Sequence, residues 1–278
     1  MESNIKSQAQ SEDISLEQEY SEETSKESNM FSDWDEELKG KTFTFENIGG
    51  RKSDVLVLHS RIFANGAVSF VHECIISVGG HKRRFIIKTF KSSLPPNRFH
   101  SLATANFNNY KLIKQVSSKV FPTFRKSLNN DAILMTMGNS GDYVCLGTVT
   151  SPKTESLNAF GYNKIDRVVN FENFLKELLT EMNKLTIKGI GVPGDVTFLL
   201  LSDFSNGEAR ADFVFGDLDT LNTVEKINFS FNVNIASFIV WKLLDEIMDS
   251  NDKSSYINLA NEYFAKEGFV FPNSNPLG

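Results

Sequence analysis

The sequence predicts an α+β fold in which a β-rich half precedes a helical half. Alternating apolar residues and the hairpin signals Asn65-Gly66 and Gly79-Gly80 indicate strands early in the chain. The predicted strands cover residues 41–46, 55–62, 67–78, 82–90, 120–125 and 132–137. Apolar residues at three- and four-residue spacing predict helices. The predicted helices cover residues 97–116, 171–188, 235–248 and 257–264, with a short hairpin near 198–215.

Composition bounds the class of protein. The chain has 278 residues, 40% of them apolar and 24 of them phenylalanine, which is enough for a large core. Cys74 and Cys145 lie in apolar runs, so we expect buried thiols and neither a disulfide framework nor a zinc cluster. The polar start predicts no signal peptide, and no apolar run approaches the roughly 18 residues of a membrane span. We expect a cytoplasmic protein, although export by a route without a cleaved signal stays open.

Charge is unevenly distributed along the chain. Residues 1–40 hold twelve Asp/Glu and three Lys, and the predominance of Ser, Glu and Gln predicts a disordered acidic tail. Residues 74–130 hold eleven Lys/Arg and no Asp or Glu. This asymmetry predicts an anionic partner for the basic stretch, or contact between the tail and that stretch. Nucleic acid is disfavoured, because the aromatic residues of the basic stretch fall at core spacings.

A single lysine is embedded in an apolar strand downstream of a small-residue turn. Lys88 follows Phe85-Ile86-Ile87, and residues 64–71 read Ala-Asn-Gly-Ala-Val-Ser-Phe-Val. Because burial of an unpaired ammonium is costly, a lysine in such a strand needs an anionic partner. One interpretation is a lysine held over a phosphate. The alternative is a lysine on the solvated face of an edge strand.

These stretches resemble the motifs of the protein-kinase superfamily. The pattern G-x-G-x-x-G-x-V is matched by Gly66 and Val71, with Ala64 and Ser69 at the first and third glycines. Lys88 then stands at the lysine of V-A-I-K, and residues 134–142 resemble the hinge that meets adenine.

The resemblance implies a fold and a ligand. It implies a two-lobed kinase-like fold with a β-rich N-lobe containing one helix over residues 41–137, and a small helical C-lobe over residues 138–278. It implies weak binding of ATP and Mg²⁺. The implied nucleotide-binding residues are Gly66, Ser69, Val71, Lys88, Met135 and Met137. Asp217 of Gly216-Asp217-Leu218-Asp219 would hold the metal ion, the alternative being a turn carboxylate after a strand.

The sequence departs from the kinase pattern where catalysis depends on it. The helix over 97–116 lacks the acid that would pair with Lys88 and offers Asn106 or Asn108, which leaves Asp217 or Asp219 as counter-ion. In the catalytic-loop stretch, 191–198, Asp195 reaches the aspartate position only with a shifted gap, and the alternative is a turn residue that follows Pro193-Gly194. Only 61 residues follow Asp217, without an A-P-E motif.

Three functions remain open on these residues. The leading hypothesis is a pseudokinase, a nucleotide-binding or scaffolding module that acts through an unidentified protein partner. The second is a divergent ATP-dependent phosphotransferase that uses Lys88, Asp195 and Asp217. The third is a non-enzymatic interaction protein that binds an anionic partner through its basic N-terminal half.

Overall fold

Six antiparallel strands close into a barrel in the first half of the chain. The computed structural model describes residues 34, 36–128, 131–136, 143–149, 157, 164–223, 229–248 and 251–275. The barrel strands are β1 (Thr42–Glu46), β2 (Lys52–Asn65), β3 (Ser69–Val78), β4 (His81–Phe90), β5 (Thr123–Lys126) and β6 (Ala132–Thr136). Their order around the barrel is β1-β2-β3-β4-β6-β5, and β1 pairs with both β2 and β5 to complete the circle.

Alternation along the strands divides the barrel side chains between its interior and its outer face. The interior is an apolar cluster that includes Phe45, Ile76, Phe85 and Ile87. Leu38 belongs to the same cluster, so the packing of the barrel begins before β1.

Helix α1 (Pro96–Lys114) packs against the outer face of the barrel. Helix α1 begins at Pro96. Proline suits this position because its ring fixes φ near the helical value, and because the first amides of a helix need no intrahelical partner. Ala103 of this helix meets Phe90 of β4 and Ile133 of β6 in a small cluster outside the barrel. Helix α1 is therefore anchored beside the carboxyl end of β4.

The second half is built on a four-stranded sheet covered by helices. The sheet strands, in the order β7-β10-β11-β8, are β7 (Tyr143–Thr148), β8 (Arg167–Val168), β10 (Thr197–Ser205) and β11 (Glu208–Phe215). A separate two-residue pairing joins β9 (Ile190–Gly191) to β12 (Asn222–Thr223). The helices are α2 (Phe171–Ile187), α3 (Phe229–Asp245) and α4 (Asn251–Lys266).

Helices α2 and α3 form the centre of the larger core. Phe174, Leu178 and Met182 of α2 are buried against apolar residues of β10, β11 and α3. The predicted stop of α2 is confirmed, because the helix ends before Gly189, which adopts a φ of 70° that favours glycine. Tyr110 and Ile113 of α1 also join this core, so α1 contacts both halves of the chain.

The predicted two-lobed kinase fold, with a one-helix β-lobe and a helical lobe, is wrong. The first half is a closed six-stranded barrel, because the strand Thr42–Glu46 pairs on both of its edges. The second half contains a four-stranded sheet where a helical lobe was expected, because Tyr143–Thr148 joins the predicted hairpin as a further strand. The predictions at residues 1–33, at Met137 and at the Gly138–Asp142 turn lie outside the described residues.

Candidate functional site

Lys88 lies on the outer face of the barrel, in the interior of the protein. Its neighbours Phe85 and Ile87 belong to the barrel interior, and alternation turns Lys88 outward. Lys88 is nevertheless only 3% exposed. Across the ladder it stands opposite Ile133 of β6 and Val71 of β3. The alternative of a lysine on a solvated edge strand does not apply, since β4 is paired on both sides.

Two aspartates from the second half of the chain hold the Lys88 ammonium. Its Nζ donates to Asp217 Oδ1 and, over 3.2 Å, to Asp219 Oδ2. The Asp219 side chain is 8% exposed, whereas that of Asp217 is 38% exposed. One cation therefore bridges one buried and one half-exposed carboxylate, and these are the two residues that the sequence analysis named as alternative counter-ions.

Burial and the neighbouring opposite charges act in opposite directions on the pKa values of Lys88 and Asp219. Burial acts to lower the pKa of Lys88, but the charges and hydrogen bonds of Asp217 and Asp219 outweigh it, so the pKa is raised. Burial raises the pKa of Asp219, as do the charges of Asp217 and Asp195, and Lys88 offsets this only in part. The carboxylates carry more negative charge than the single lysine neutralises.

A turn after β11 positions the two aspartates. Asp217 has a φ of 51°, in the left-handed region that aspartate tolerates better than most residues, and residues 218–220 form a turn of 3₁₀ helix. Leu218 is buried in the large core, and its carbonyl accepts a hydrogen bond of 2.6 Å from Asn109 Nδ2 of α1. The Gly216 N–H donates to the carbonyl of Val196 over 2.8 Å. The turn is thus held from α1 and from the segment that precedes β10.

A third carboxylate lies beside the same turn. Asp195 Oδ1 accepts a hydrogen bond of 3.1 Å from the hydroxyl of Thr220. Asp195 is half-buried in the segment between β9 and β10. The structure thus brings together three residues that the sequence singled out far apart along the chain, namely Lys88, Asp195 and Asp217.

A buried asparagine of α3 anchors the segment that carries Asp195. Asn232 Oδ1 accepts from the Val192 N–H over 2.9 Å. Its Nδ2 donates to the Ile190 carbonyl over 2.8 Å and to the Thr186 hydroxyl over 2.9 Å. Asn232 is fully buried, and these bonds satisfy its amide. The sequence analysis missed this residue, whose signal is a polar side chain within the apolar helix α3.

The remaining nucleotide-binding predictions fall near Lys88 to different degrees. The turn between β2 and β3 is closed by a 3.0 Å hydrogen bond from the Gly66 N–H to the Ser69 carbonyl. Ser69 pairs with Phe90, and Val71 stands directly opposite Lys88. The backbone of Met135 pairs with Ile86 of β4.

The side chains of this site are of the types that bind a divalent cation and phosphate. Among the described residues, no group of three or more His, Cys, Asp or Glu side chains is arranged to hold a metal ion. Magnesium in phosphate sites needs less, since one or two carboxylates and the phosphate oxygens themselves complete its coordination. Asp217 and Asp219 would supply those carboxylates, and Lys88 would supply positive charge to the phosphates.

The basic stretch is partly neutralised. Within the described part of the chain, at least five of its cations pair with carboxylates: Arg84 with Glu73, Lys88 with Asp217 and Asp219, Lys119 with Glu177 and Asp212, Arg125 with Glu46, and Lys126 with Asp131. At the start of the described chain, the ring of Trp34 lies 5.2 Å from the Arg61 guanidinium. An acidic residue, Glu36, accepts from His59 over 2.8 Å.

Comparison with known proteins adds no family. No protein-family model matches the chain, and a search of curated proteins finds none similar to it. Within the described part of the chain, no helix has both the length and the apolar character needed to cross a membrane.

Proposed function

We propose that this protein binds the phosphate groups of a nucleotide such as ATP, with a divalent cation, at Lys88, Asp217 and Asp219. In this proposal the protein acts as a regulatory or scaffolding module through a protein partner, as a pseudokinase does. The observation that carries the proposal is the buried Lys88, bridged to two carboxylates from a distant part of the chain.

Charge balance supports a ligand of this kind. Asp217, Asp219 and the neighbouring Asp195 face a single lysine, which leaves negative charge that a divalent cation would neutralise. The cation would in turn attract phosphate oxygens, which also accept from the Lys88 ammonium. The proposal rests on this local chemistry and not on the kinase fold, which the barrel excludes.

Binding can be tested through thermal stability and calorimetry. A ligand that binds only the folded chain stabilises it by about 1.4 kcal/mol at ten times its Kd. For a chain of this size the melting temperature should rise by about 3–5 °C. We expect this rise with ATP and Mg²⁺, and a much smaller one with ATP and a chelator.

A matched pair of variants assigns the binding to the site. Asp217→Asn removes a predicted cation ligand that is 38% exposed, so the variant should fold. Asp212→Asn removes a carboxylate of similar exposure that pairs with Lys119 instead. Loss of the ATP-dependent shift in the first variant alone supports the proposal. A wild-type melting temperature that does not change with millimolar ATP and Mg²⁺ would refute it.

Phosphotransfer is the second candidate, and the position of Asp195 favours it. Asp195 accepts a hydrogen bond from Thr220, in the turn that carries Asp217 and Asp219. In the reaction an acceptor hydroxyl oxygen forms a bond to the γ-phosphorus as the bond from that phosphorus to the bridging oxygen breaks. ADP leaves, and the hydroxyl proton passes to Asp195. Phosphate release or autophosphorylation that disappears in Asp195→Asn would support this candidate, while equal turnover by that variant would exclude it.

A further inference from the structure

A buried carboxylate on the outer face of the barrel holds two arginines. Glu73 of β3 is 1% exposed. Arg61 of β2 donates from Nε to Glu73 Oε2, and a terminal nitrogen of Arg84 on β4 pairs with Oε1. The two arginine side chains are 41% and 29% exposed, so they reach solvent while the carboxylate that joins them does not. Two cations share one carboxylate, which leaves one positive charge in excess.

The same face of the barrel carries Lys88. Alternation turns Glu73, Arg84 and Lys88 outward, because their neighbours along the strands pack inside the barrel. Glu73 stands opposite Ile86, two residues before Lys88. At about 3.3 Å per residue, Arg84 lies about 13 Å from Lys88 along β4. An extended nucleoside triphosphate with its phosphates at Lys88 therefore reaches the arginines with its base.

The two ends of this face differ in charge. At one end Asp217 and Asp219 outnumber Lys88, and that excess suits a divalent cation. At the other end the arginines outnumber Glu73, and a guanidinium only donates hydrogen bonds. The buried Ile86 lies between the two ends. A ligand that matches the whole face has phosphates at one end and hydrogen-bond acceptors at the other.

Guanine is the purine whose edge matches two arginines. It presents two neighbouring acceptors, N7 and O6, and arginine donating to this pair is the commonest base-specific contact in nucleic-acid recognition. Adenine presents N7 beside an amino donor at N6, which an arginine donor opposes. Arg61 uses Nε for Glu73, so its terminal N–H groups are directed elsewhere. The ring of Trp34, 5.2 Å from the Arg61 guanidinium, further fixes the guanidinium in place.

We propose that the cluster of Arg61, Glu73 and Arg84 binds the base of a guanine nucleotide whose phosphates lie at Lys88. The arginines donate to N7 and O6 of the base, and Glu73 is a positioning residue that orients both guanidinium groups. This inference rests on the proposed function and names its substrate class, which is guanine nucleotides in preference to adenine nucleotides.

Calorimetry on the full chain with Mg²⁺ tests the preference directly. The four probes are GTP, ATP, inosine triphosphate and inorganic triphosphate. We expect GTP to bind about tenfold or more tightly than ATP, because adenine lacks the second acceptor. Inosine triphosphate retains N7 and O6 and lacks only the 2-amino group of guanine, so its Kd should stay within about threefold of that for GTP. Inorganic triphosphate, which has no base, should bind about tenfold or more weakly than GTP.

A charge-preserving double variant assigns the preference to the arginines. Arg61→Lys combined with Arg84→Lys keeps two cations beside Glu73 and removes both planar forks. Its affinity for GTP should fall to that for ATP, and its affinity for ATP should change by less than about threefold. Arg125→Lys is the matched control, since Arg125 is 34% exposed and pairs with Glu46 of β1. The control should retain the preference for GTP.

The outcomes separate this inference from the proposed function. If the wild type binds ATP as tightly as GTP, the inference fails and the proposed function stands. Inosine triphosphate that binds as weakly as ATP, inorganic triphosphate that binds as tightly as GTP, or a preference that the double variant retains would each overturn the inference. The comparison of the four probes needs no variant, so it decides the matter even if the double variant does not fold. If the wild type binds neither GTP nor ATP, the proposed function fails and the inference fails with it.

Discussion

Replacing Lys88 with methionine tests whether the buried bridge stabilises the fold. Lys88→Met preserves most of the side-chain volume but leaves Asp219, 8% exposed, without its cation. Asp217 is 38% exposed and can be solvated by water, so the cost comes mainly from Asp219. Removal of one partner of a buried ion pair costs several kcal/mol. Here the cost is reduced, because Asp217 is partly exposed to water. We expect a loss of about 2–4 kcal/mol near neutral pH.

The sign of the pH dependence follows from the pKa of Asp219. Burial and the charges of Asp217 and Asp195 raise that pKa, and in the variant Lys88 no longer offsets them. A carboxyl whose pKa is higher in the folded than in the unfolded chain binds its proton more tightly when folded. Stability contributed by the proton is therefore lost as pH rises from the ordinary carboxyl range through the raised pKa. Lys88→Met should lose more stability at about pH 8 than at about pH 5.

Denaturant unfolding of metal-free protein, followed by the fluorescence of buried Trp241, measures both effects. Lys119→Met is the matched control, since Lys119 also bridges two carboxylates, Glu177 at 3.2 Å and Asp212 at 2.7 Å. Both of those partners are about half exposed, so the control should lose less than about 1 kcal/mol. Equal losses in the two variants, or a Lys88→Met loss that does not depend on pH, would refute the reasoning.

Three further predictions concern the support of the site and the charged tail. Asn232→Leu should cost about 2–5 kcal/mol in denaturant unfolding, because it leaves buried backbone groups without partners, and a loss below about 1 kcal/mol would contradict this. Gly216→Ala should lower both stability and ATP affinity, since its Cβ would lie 2.8 Å from a ring carbon of Phe121. Gly66→Ala, whose Cβ meets only ordinary contacts, is the control for stability. Deletion of residues 1–30, which hold eight Asp/Glu and two Lys, should raise heparin affinity in a salt-dependent way, and unchanged binding would exclude masking by the tail.

Local pattern was sufficient to predict most elements. Hairpin signals at Asn65-Gly66 and Gly79-Gly80 gave the β2–β3–β4 meander, and helical periodicity gave α1 and α2. These features depend on neighbours in the chain, so sequence carries them directly. Alternation also marked Lys88 as an outlier among apolar strand residues. Its pairing with Asp217 or Asp219 was expected from the lack of any acid in α1.

Long-range pairing was not predictable in the same way. Nothing local in Thr42–Glu46 shows that both of its edges are paired, and that closure is what distinguishes the barrel from the expected lobe. The role of Tyr143–Thr148 as a sheet strand likewise depends on a partner fifty or more residues away. The amide of Asn106 in α1 is buried without a hydrogen-bond partner, which depends on what surrounds it and is not specified by a helical pattern.

The short strand β1 closes the barrel, because it joins β2 to β5. Its five residues pair with β2 along their whole length, and with β5 at Phe45 and Glu46. A chain shortened past residue 46 would leave unpaired backbone along both β2 and β5, and such edges are where sheets of separate molecules join. Shortened forms of this protein should therefore begin before Leu38, which packs inside the barrel.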